Sequence, residues 1–494
     1  MARTAAAVYF LLLLSSPALA AENAAPVLPA RVETHHTLTL AGHALDYDAI
    51  AETFALKNAQ GATTATIFTV SYLAAGATGG TRPVTFAFNG GPGAAAVFLQ
   101  LGALGPRVLD TPESGAVPAP PFRLIDNPAT WLPFTDLVFI DPVGTGFSRG
   151  VGKEKNPDAP FWTVHSDLSS LASVVRLWLT RHQRWNAPVY LVGESYGGFR
   201  AAALARTLPR EVGVTVSGLI LISPALDLSA LDERARDLLA AAFPLPSYAA
   251  AAVADDVLPG PVNLAQIAHF ALSDYLVGLA GRVGDPGPSD PFIAEVAHLT
   301  GLPATVIARH RGEVPRRVFA HTILRSKHEV VSLYDATVTR PAAADRRDEE
   351  AGDPILGPAA AAYTAAFDQY AAAFLGYHTE LPYHALARAV SEHWNWQNAR
   401  AEGAFGLAMA SLQAALLDHP AMRLMIVNGR YDLVTPYLAS RWLVDQLQIP
   451  AAQRARIRLE VLPGGHMMYM RPSSRAALAR AAASLYGAPA TAAP

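Results

Sequence analysis

Residues 193–198, with the sequence G-E-S-Y-G-G, constrain the fold of this chain more than any other segment. A strand-like apolar run at residues 188–192 precedes them, and a helix-like run at residues 199–208 follows. Glycines on both sides of a serine permit a sharp turn from a buried strand into a helix, in which the serine adopts strained backbone geometry. The segment therefore predicts a strand–turn–helix unit that presents Ser195 as a nucleophile.

A serine hydroxyl is a weak nucleophile unless a histidine removes its proton and a carboxylate orients that histidine. The strand-like run at residues 423–427 leads into Asp432, and the run at residues 457–462 leads into His466. Each residue alone is compatible with an ordinary turn or surface position. Together they follow Ser195 in the order that this type of turn requires, each just after a strand. The sequence predicts Ser195, Asp432 and His466 as a catalytic triad.

Strand-like and helix-like runs alternate over much of the chain, which predicts an α/β fold with a mostly parallel central sheet flanked by helices. The apolar runs end in turn residues, as expected for strands buried on both faces. The predicted strands are residues 36–40, 64–73, 83–88, 136–140, 188–192, 217–222, 423–427 and 457–462. The predicted helices are residues 164–184, 199–208 and 473–485.

The alternation stops between about residues 230 and 396, where the chain is rich in alanine, helix-like and broken by proline and glycine clusters. We expect this region to be a largely helical cap inserted into the core. The predicted domains are a signal peptide at 1–20, the first part of the core at 21–229, the cap at 230–396 and the second part of the core at 397–494. A separate second domain is the alternative, but the core would then lack its last strands.

The N-terminus has the features of a secretory signal: a basic Arg3, an apolar stretch at residues 8–14 and the small-residue site A-L-A at residues 18–20. We expect cleavage after Ala20 and a secreted or periplasmic protein without a membrane span. An uncleaved anchor is the alternative.

Composition excludes several kinds of site and partner. The net charge of −3 gives no indication of a nucleic-acid partner. The chain has no cysteine, which excludes disulfides, a cysteine nucleophile and thiolate metal sites. None of the histidines other than His466 lies in a catalytic context, and H-E at residues 328–329 lacks the second histidine of a zinc-protease helix. We predict no metal and no other cofactor.

Two further glycine-rich segments follow strand-like runs, N-G-G-P-G at residues 89–93 and D-P-V-G-T-G-F-S at residues 141–148. Backbone amides of the first segment are a natural source of an oxyanion donor. Together with the segments around Ser195, Asp432 and His466, they resemble the serine carboxypeptidase family in sequence and in order. Asn127 and Trp131 also fit its pattern. The resemblance spans about residues 80 to 470 and implies an α/β-hydrolase fold with a cap.

The resemblance also implies roles for individual residues. The backbone amides of Gly91 and Tyr196 correspond to the oxyanion hole, and Asn89, Gly90 and Glu194 correspond to substrate-binding positions. Asn89 and Glu194 are the pair that binds the C-terminal carboxylate of a peptide. A carboxylate repels another unless one is protonated, and burial raises a carboxylic pKa. We therefore expect peptide binding to be favoured at acidic pH.

The chain departs from the family at several positions: Ala87 replaces a common tryptophan, residues 94–96 are A-A-A instead of C-S-S, and the disulfides are absent. These changes resemble the bacterial branch of the family. We expect a secreted serine carboxypeptidase that releases C-terminal amino acids from peptides with a free carboxylate. An esterase or acyltransferase with the same triad, or a catalytically silent binding protein, are the alternatives. The preferred residue and the oligomeric state stay open.

Overall fold

A ten-stranded sheet is the centre of the fold in the structure, a computed structural model that describes residues 28–76, 80–231, 237–281, 287–343 and 352–488. The predicted signal peptide and its cleavage site lie outside the described residues. Over the described part of the chain, no helix is both long and apolar enough to cross a membrane.

Fourteen strands are present in the described residues. In chain order they are β1 (Arg31–Leu40), β2 (His43–Lys57), β3 (Thr63–Ala74), β4 (Val84–Phe88), β5 (Arg107–Leu109), β6 (Leu124–Asp126), β7 (Asp136–Ile140), β8 (Arg149–Gly150), β9 (Val189–Glu194), β10 (Val216–Ile222), β11 (Glu329–Val331), β12 (Thr339–Pro341), β13 (Arg423–Gly429) and β14 (Ile457–Leu462). The central sheet has the order β1-β2-β3-β7-β4-β9-β10-β13-β14, with β8 also paired to β3. Two small sheets, β5-β6 and β11-β12, lie outside it.

The sheet is parallel where the site is built. Strands β7, β4, β9, β10, β13 and β14 pair parallel, whereas β1, β2 and β3 form an antiparallel extension. Since the carboxyl ends of parallel strands meet at one edge, the loops after β4, β9, β13 and β14 gather there. The predicted α/β class with a mostly parallel sheet is confirmed.

The helices are α1 (Val97–Leu99), α2 (Val164–Arg181), α3 (Tyr196–Val212), α4 (Leu238–Ala242), α5 (Leu245–Ala254), α6 (Leu264–Ala271), α7 (Asp274–Ala280), α8 (Asp290–Thr300), α9 (Ala304–Arg309), α10 (Arg316–Thr322), α11 (Leu356–Ala373), α12 (Arg388–His393), α13 (Trp396–Ala401), α14 (Leu407–Asp418), α15 (Tyr437–Asp445), α16 (Ala451–Arg454) and α17 (Pro472–Tyr486). Local signals set the ends of the long ones. The Thr163 hydroxyl accepts the N–H of Ser166 to begin α2, and Gly213, in the left-handed conformation, ends α3.

Helices cover both faces of the sheet. Because successive strand residues point to opposite faces, Phe86 and Phe88 of β4 pack into one apolar cluster with α2, α3 and α14, while Ala87 packs into the other with α11 and α17. A third cluster joins α5 to α10 with residues 433–439. Helix α11 therefore packs with the sheet, although it falls within the predicted cap. The domain boundaries at 230 and 396 stay predictions, and this packing favours an earlier end for the cap.

Strand β2 is the main element that the sequence interpretation missed. It pairs with β1 and with β3 along most of its length. Leu45 and Tyr47 alternate with Asp46 and Asp48, and the buried apolar run Ala49, Ile50 and Ala51 follows them. The period of two was therefore present in the sequence, and the strand could have been predicted from it.

We expect Phe367→Ala to lower the free energy of unfolding by about 3–5 kcal/mol, because it empties a packed position in the core. The Phe367 ring is fully buried and stacks on Tyr383 with ring centroids 3.9 Å apart. Urea unfolding checks this. Val277→Ala is the control, since Val277 is 72% exposed and should change stability by no more than about 0.5 kcal/mol. Equal effects of the two changes would contradict the assignment of α11 to the core.

Candidate active site

Ser195 occupies a sharp turn between β9 and α3. Its backbone has φ 58° and ψ −125°, a conformation that costs energy for any residue with a side chain. The turn is closed by glycines: a Cβ on Gly193 would lie 1.9 Å from the carbonyl oxygen of Gly197, and a Cβ on Gly197 would lie 2.2 Å from that of Phe88. The predicted strand–turn–helix unit is present, with Ser195 partly exposed at its tip.

The loop at residues 89–93 lies directly against this turn. A Cβ on Gly90 would lie 2.5 Å from the backbone nitrogen of Tyr196 and 2.9 Å from Ser195 Cβ. Gly91 has φ +98°, which favours glycine. The two backbone segments predicted to supply the oxyanion hole therefore lie side by side, at the carboxyl ends of β4 and β9.

Asp432 and His466 are brought together in the loops after β13 and β14. His466 Nδ1 lies 2.9 Å from Asp432 Oδ2. Asp432 Oδ1 accepts the backbone N–H groups of Val434 and Thr435 at 2.8 and 3.0 Å. The Thr435 hydroxyl lies 2.7 Å from Asp432 Oδ2. The carboxylate is thus held on both oxygens and aligned with the ring.

These contacts set the charges of the pair. Burial by itself raises the pKa of Asp432, but the charge and hydrogen bond of His466, with the Thr435 donors, hold it below its ordinary value. Burial lowers the pKa of His466, but Asp432 and, more weakly, Glu194 raise it above 6.5. Asp432 is therefore ionised when His466 accepts a proton, which is what a base of this kind needs.

Ser195 and His466 line the same cavity. Within the described residues they form no hydrogen bond with each other. Hydrogen bonds between a catalytic base and its nucleophile are often long in unliganded proteins and shorten when the substrate binds. A serine and a histidine that line one cavity without a direct hydrogen bond are therefore compatible with the predicted triad.

Glu194 and Asn89 form a buried pair beside Ser195. Asn89 Nδ2 donates to Glu194 Oε2 at 2.5 Å, and Asn89 Oδ1 accepts the N–H of Leu99 at 3.0 Å. A residue that the sequence interpretation missed, Tyr469, donates its hydroxyl to the same Oε2 at 2.7 Å. Burial raises the pKa of Glu194 to about 7, although His466, Tyr469 and Asn89 act in the opposite direction. Glu194 is neutral in acid and ionised in mild alkali.

A buried ion pair anchors the backbone of the 89–96 segment. Arg200 on α3 binds Asp167 on α2 at 2.7 Å and donates to the backbone carbonyl of Asn89 at 2.6 Å. Asp141, the first residue of the D-P-V-G-T-G-F-S segment, accepts the N–H of Ala96 at 2.8 Å. Both contacts tie the 89–96 segment to the sheet and helices beneath it. The segment at 141–148 thereby gains a structural role that the sequence alone did not indicate.

Residues 332–336, from the region predicted to be the cap, support the loops that carry Asp432 and His466. The carbonyl of Leu333 accepts the N–H of Leu433, and the carbonyl of Tyr334 accepts the N–H of His466 at 2.5 Å. The Tyr334 ring packs edge-on against the imidazole, with centroids 5.3 Å apart. The aspartate and histidine loops therefore share one backbone support, which no local motif indicated.

The cavity at the site has a volume of about 490 Å³. Its lining includes Asn89, Gly90, Gly91, Glu194, Ser195 and His466, with apolar contributions from Phe98, Leu356, Leu386, Val434 and Met467. Tyr196, whose backbone amide was predicted to join the oxyanion hole, is buried and is not among the residues that line the cavity. Two charged side chains also line the cavity, Asp353 and Arg388. Asp353 is tied to Ser332 and Leu333, whereas Arg388 is exposed and makes no salt bridge among the described residues.

One group of three possible metal ligands occurs in the described residues, Glu33, His35 and Asp48. All three lie on β1 and β2, none is buried, and none lines the cavity. Groups of this kind are common at surfaces without an ion. The absence of a metal cofactor stays a prediction.

Residues 64–222 match the family model described as serine carboxypeptidase. In this segment the chain is similar to the serine carboxypeptidases. It is 28% identical over 132 residues to serine carboxypeptidase-like 9 of Arabidopsis thaliana, covering 26% of this chain and 28% of that protein. It is 30% identical over 133 residues to the retinoid-inducible serine carboxypeptidase of Rattus norvegicus, covering 26% of each. The family resemblance seen in the sequence is confirmed. Its bacterial-branch part stays a prediction.

The chain spans between 26% and 33% of the length of the curated relatives it matches. Among solved structures, a monoglyceride lipase from Saccharomyces cerevisiae aligns over 88% of this chain and 94% of its own, with 9% identity and a TM-score of 0.37. A peroxisomal α/β-hydrolase from the same yeast aligns over 93% and 90%, with 10% identity and a TM-score of 0.36. The fold assignment therefore depends on the strand order described above.

We expect Gly90→Ala to slow the covalent labelling of Ser195 by a serine-directed inhibitor by about 10²-fold, because the new methyl group would push the 89–93 loop away from Tyr196. Gly357→Ala is the matched control, since Gly357 also lines the cavity but a Cβ there meets nothing within 4 Å. The measurement is the labelling rate by mass spectrometry. Unchanged labelling of the Gly90 variant would contradict the close packing of loop and turn.

Proposed function

We propose that this protein is a secreted serine carboxypeptidase, which removes C-terminal amino acids from peptides through an acyl-enzyme on Ser195. One observation carries the proposal: a buried glutamic acid with a pKa near 7, paired with an asparagine, lines the same cavity as the nucleophile. An esterase needs no such group. The apolar stretch at residues 8–14 and the A-L-A site at residues 18–20 support secretion.

The reaction is an acyl transfer in two steps. His466 takes the proton of the Ser195 hydroxyl as Ser195 Oγ attacks the last peptide carbonyl, and Asp432 stabilises the imidazolium that forms. The backbone N–H groups of Gly91 and Tyr196 bind the tetrahedral oxyanion. His466 then gives its proton to the leaving amino group. Water, deprotonated by the same histidine, attacks the ester and releases Ser195.

The C-terminal carboxylate of the peptide is held by Asn89 and by neutral Glu194. A protonated carboxylic acid donates a hydrogen bond to a carboxylate, whereas an ionised one repels it. Asn89 keeps its amide nitrogen on this side because Leu99 holds its oxygen. The pair therefore selects a free carboxylate at acidic to neutral pH and excludes a peptide that continues past the scissile bond.

Arg388 offers a second, competing anchor for a carboxylate. It is the only Arg or Lys side chain that lines the cavity in the described residues. Because it is exposed, its attraction for an anion is weakened by solvent. We propose that Asn89 and Glu194 bind the terminal carboxylate and that Arg388 faces the rest of the peptide.

We expect the wild-type protein to trim a peptide with a free C-terminus and to leave the matched C-terminal amide intact, because the amide has an NH₂ donor where the carboxylate has a second acceptor oxygen for Asn89 and neutral Glu194. Ser195→Ala should abolish turnover while the far-UV circular dichroism stays unchanged. Mass spectrometry of the products measures both. Equal cleavage of acid and amide would favour the esterase or acyltransferase alternative, and no labelling of Ser195 by an inhibitor would favour a silent binding protein.

The pH dependence follows from the two buried groups. His466 must be neutral to act as a base, so kcat/KM rises as pH increases through its raised pKa. Glu194 must be protonated, so kcat/KM falls as pH increases through about 7. We expect a bell-shaped profile for a free-acid peptide.

Glu194→Gln should remove the alkaline fall, because glutamine donates at every pH. The control is Glu392→Gln, which changes an exposed carboxylate on α12 and should leave the bell intact. Steady-state kinetics across the pH range give the profiles. An alkaline limb that survives Glu194→Gln would refute the carboxylate clamp.

A further inference from the structure

The two oxygens of Glu194 have different surroundings. Oε2 accepts hydrogen bonds from Asn89 Nδ2 and from the Tyr469 hydroxyl. Oε1 has no hydrogen-bond partner in the described part of the chain, yet it is not one of the sealed polar atoms that lack a partner. Because Glu194 lines the cavity, Oε1 is the oxygen that a substrate can reach.

A glycine, Gly102, leaves the space that the Tyr469 side chain occupies beside Glu194. The residue lies in the single turn of 3₁₀ helix Met468–Met470, three residues after His466, and it is fully buried. A Cβ on Gly102 would lie 2.7 Å from Tyr469 Cε2 and 2.6 Å from the Tyr363 hydroxyl. Gly102 has no positive φ that would otherwise require glycine. The absence of a side chain at Gly102 therefore leaves space for the rings of Tyr469 and Tyr363 to pack.

We propose that Tyr469 is a positioning residue for the carboxylate clamp: by donating to Oε2 together with Asn89, its hydroxyl confines the proton of the neutral acid to Oε1, aimed at the C-terminal carboxylate of the substrate. This inference rests on the proposed carboxypeptidase function. No bond is made or broken in this binding step, and the proton stays on Glu194.

The proton of neutral Glu194 is confined to Oε1 because an O–H group on Oε2 would conflict with the two donors there. An O–H group on Oε2 would face two donors that are already directed at that oxygen, and one hydrogen bond would be lost inside the protein, where an unmade bond is costly. An O–H group on Oε1 meets no protein donor. Without the Tyr469 hydroxyl, Asn89 is the one remaining donor that disfavours an O–H group on Oε2 within the described residues.

Several titratable groups act on Glu194 or feel its charge. They are His466 and Tyr469 from the loop after β14, Asp432 from the loop after β13, Tyr334 from the 332–336 segment and Tyr363 from α11. Of these, the described hydrogen bonds join only Tyr469 to the carboxyl group. Its bond favours the ionised form, so removing the hydroxyl raises the pKa of Glu194 further.

The test is the binding of a peptide with a free C-terminus, and of its C-terminal amide, by calorimetry from acidic to mildly alkaline pH. Ser195→Ala is the parent, so that no turnover occurs. Adding Tyr469→Phe should weaken binding of the acid peptide roughly fivefold at acidic pH, the loss expected for one hydrogen bond. Binding of the amide should not change. The midpoint of the pH dependence should move to higher pH, which a purely structural defect would not produce.

Tyr363→Phe in the same parent is the matched control. It removes a buried hydroxyl that contacts the same Gly102 face but has no hydrogen-bond partner in the described structure. It should leave affinity and midpoint unchanged. If the parent discriminates acid from amide and Tyr469→Phe alters neither affinity nor midpoint, the role of Tyr469 is refuted alone. If the parent binds acid and amide equally at every pH, the proposed function fails, and this inference fails with it.

Discussion

The close contact between the 89–93 loop and the turn at Ser195 is the constraint on which the rest of the site depends. Gly90, Gly193 and Gly197 leave no room for a Cβ, so two backbone segments meet at van der Waals distance. Arg200, paired with Asp167, fastens the carbonyl of Asn89 to the helix that follows Ser195. Ser195, the adjacent backbone amides and the Asn89–Glu194 pair are therefore parts of one rigid unit, which is the preorganisation that the proposed acyl transfer needs.

His466 and Asp432 belong to a second unit, built around residues 332–336. Backbone bonds from this segment hold both the Asp432 loop and the His466 loop, and the pair Asp335–Arg471 secures it further. The segment comes from the long region between β10 and β13. This region therefore fixes the loops of two of the three residues of the proposed triad.

The two units are coupled through charge. Glu194 lies next to Ser195 in the chain but interacts with His466, and Tyr469 joins the histidine loop to Glu194 by a direct hydrogen bond. The proposed reaction requires that His466 and Glu194 are both neutral at the same time. Ionisation of Glu194 raises the pKa of His466, so the two requirements oppose each other and confine activity to a limited pH range.

Much of the sheet and the positions of the site loops could be read from the sequence, because the signals are local. A glycine in a tight turn, and an apolar strand that leads into the turn, are recognised from residues that are neighbours in the chain. The turn at Ser195 and the strand at residues 136–140 both lie where they were predicted. Tyr469, the contact of Arg200 with Asn89, and the 332–336 support could not be found in this way. Tyr469 and Glu194 are 275 residues apart, and only the packing of the folded chain decides which side chain meets which, whereas the backbone turns are set by sterics within a few residues.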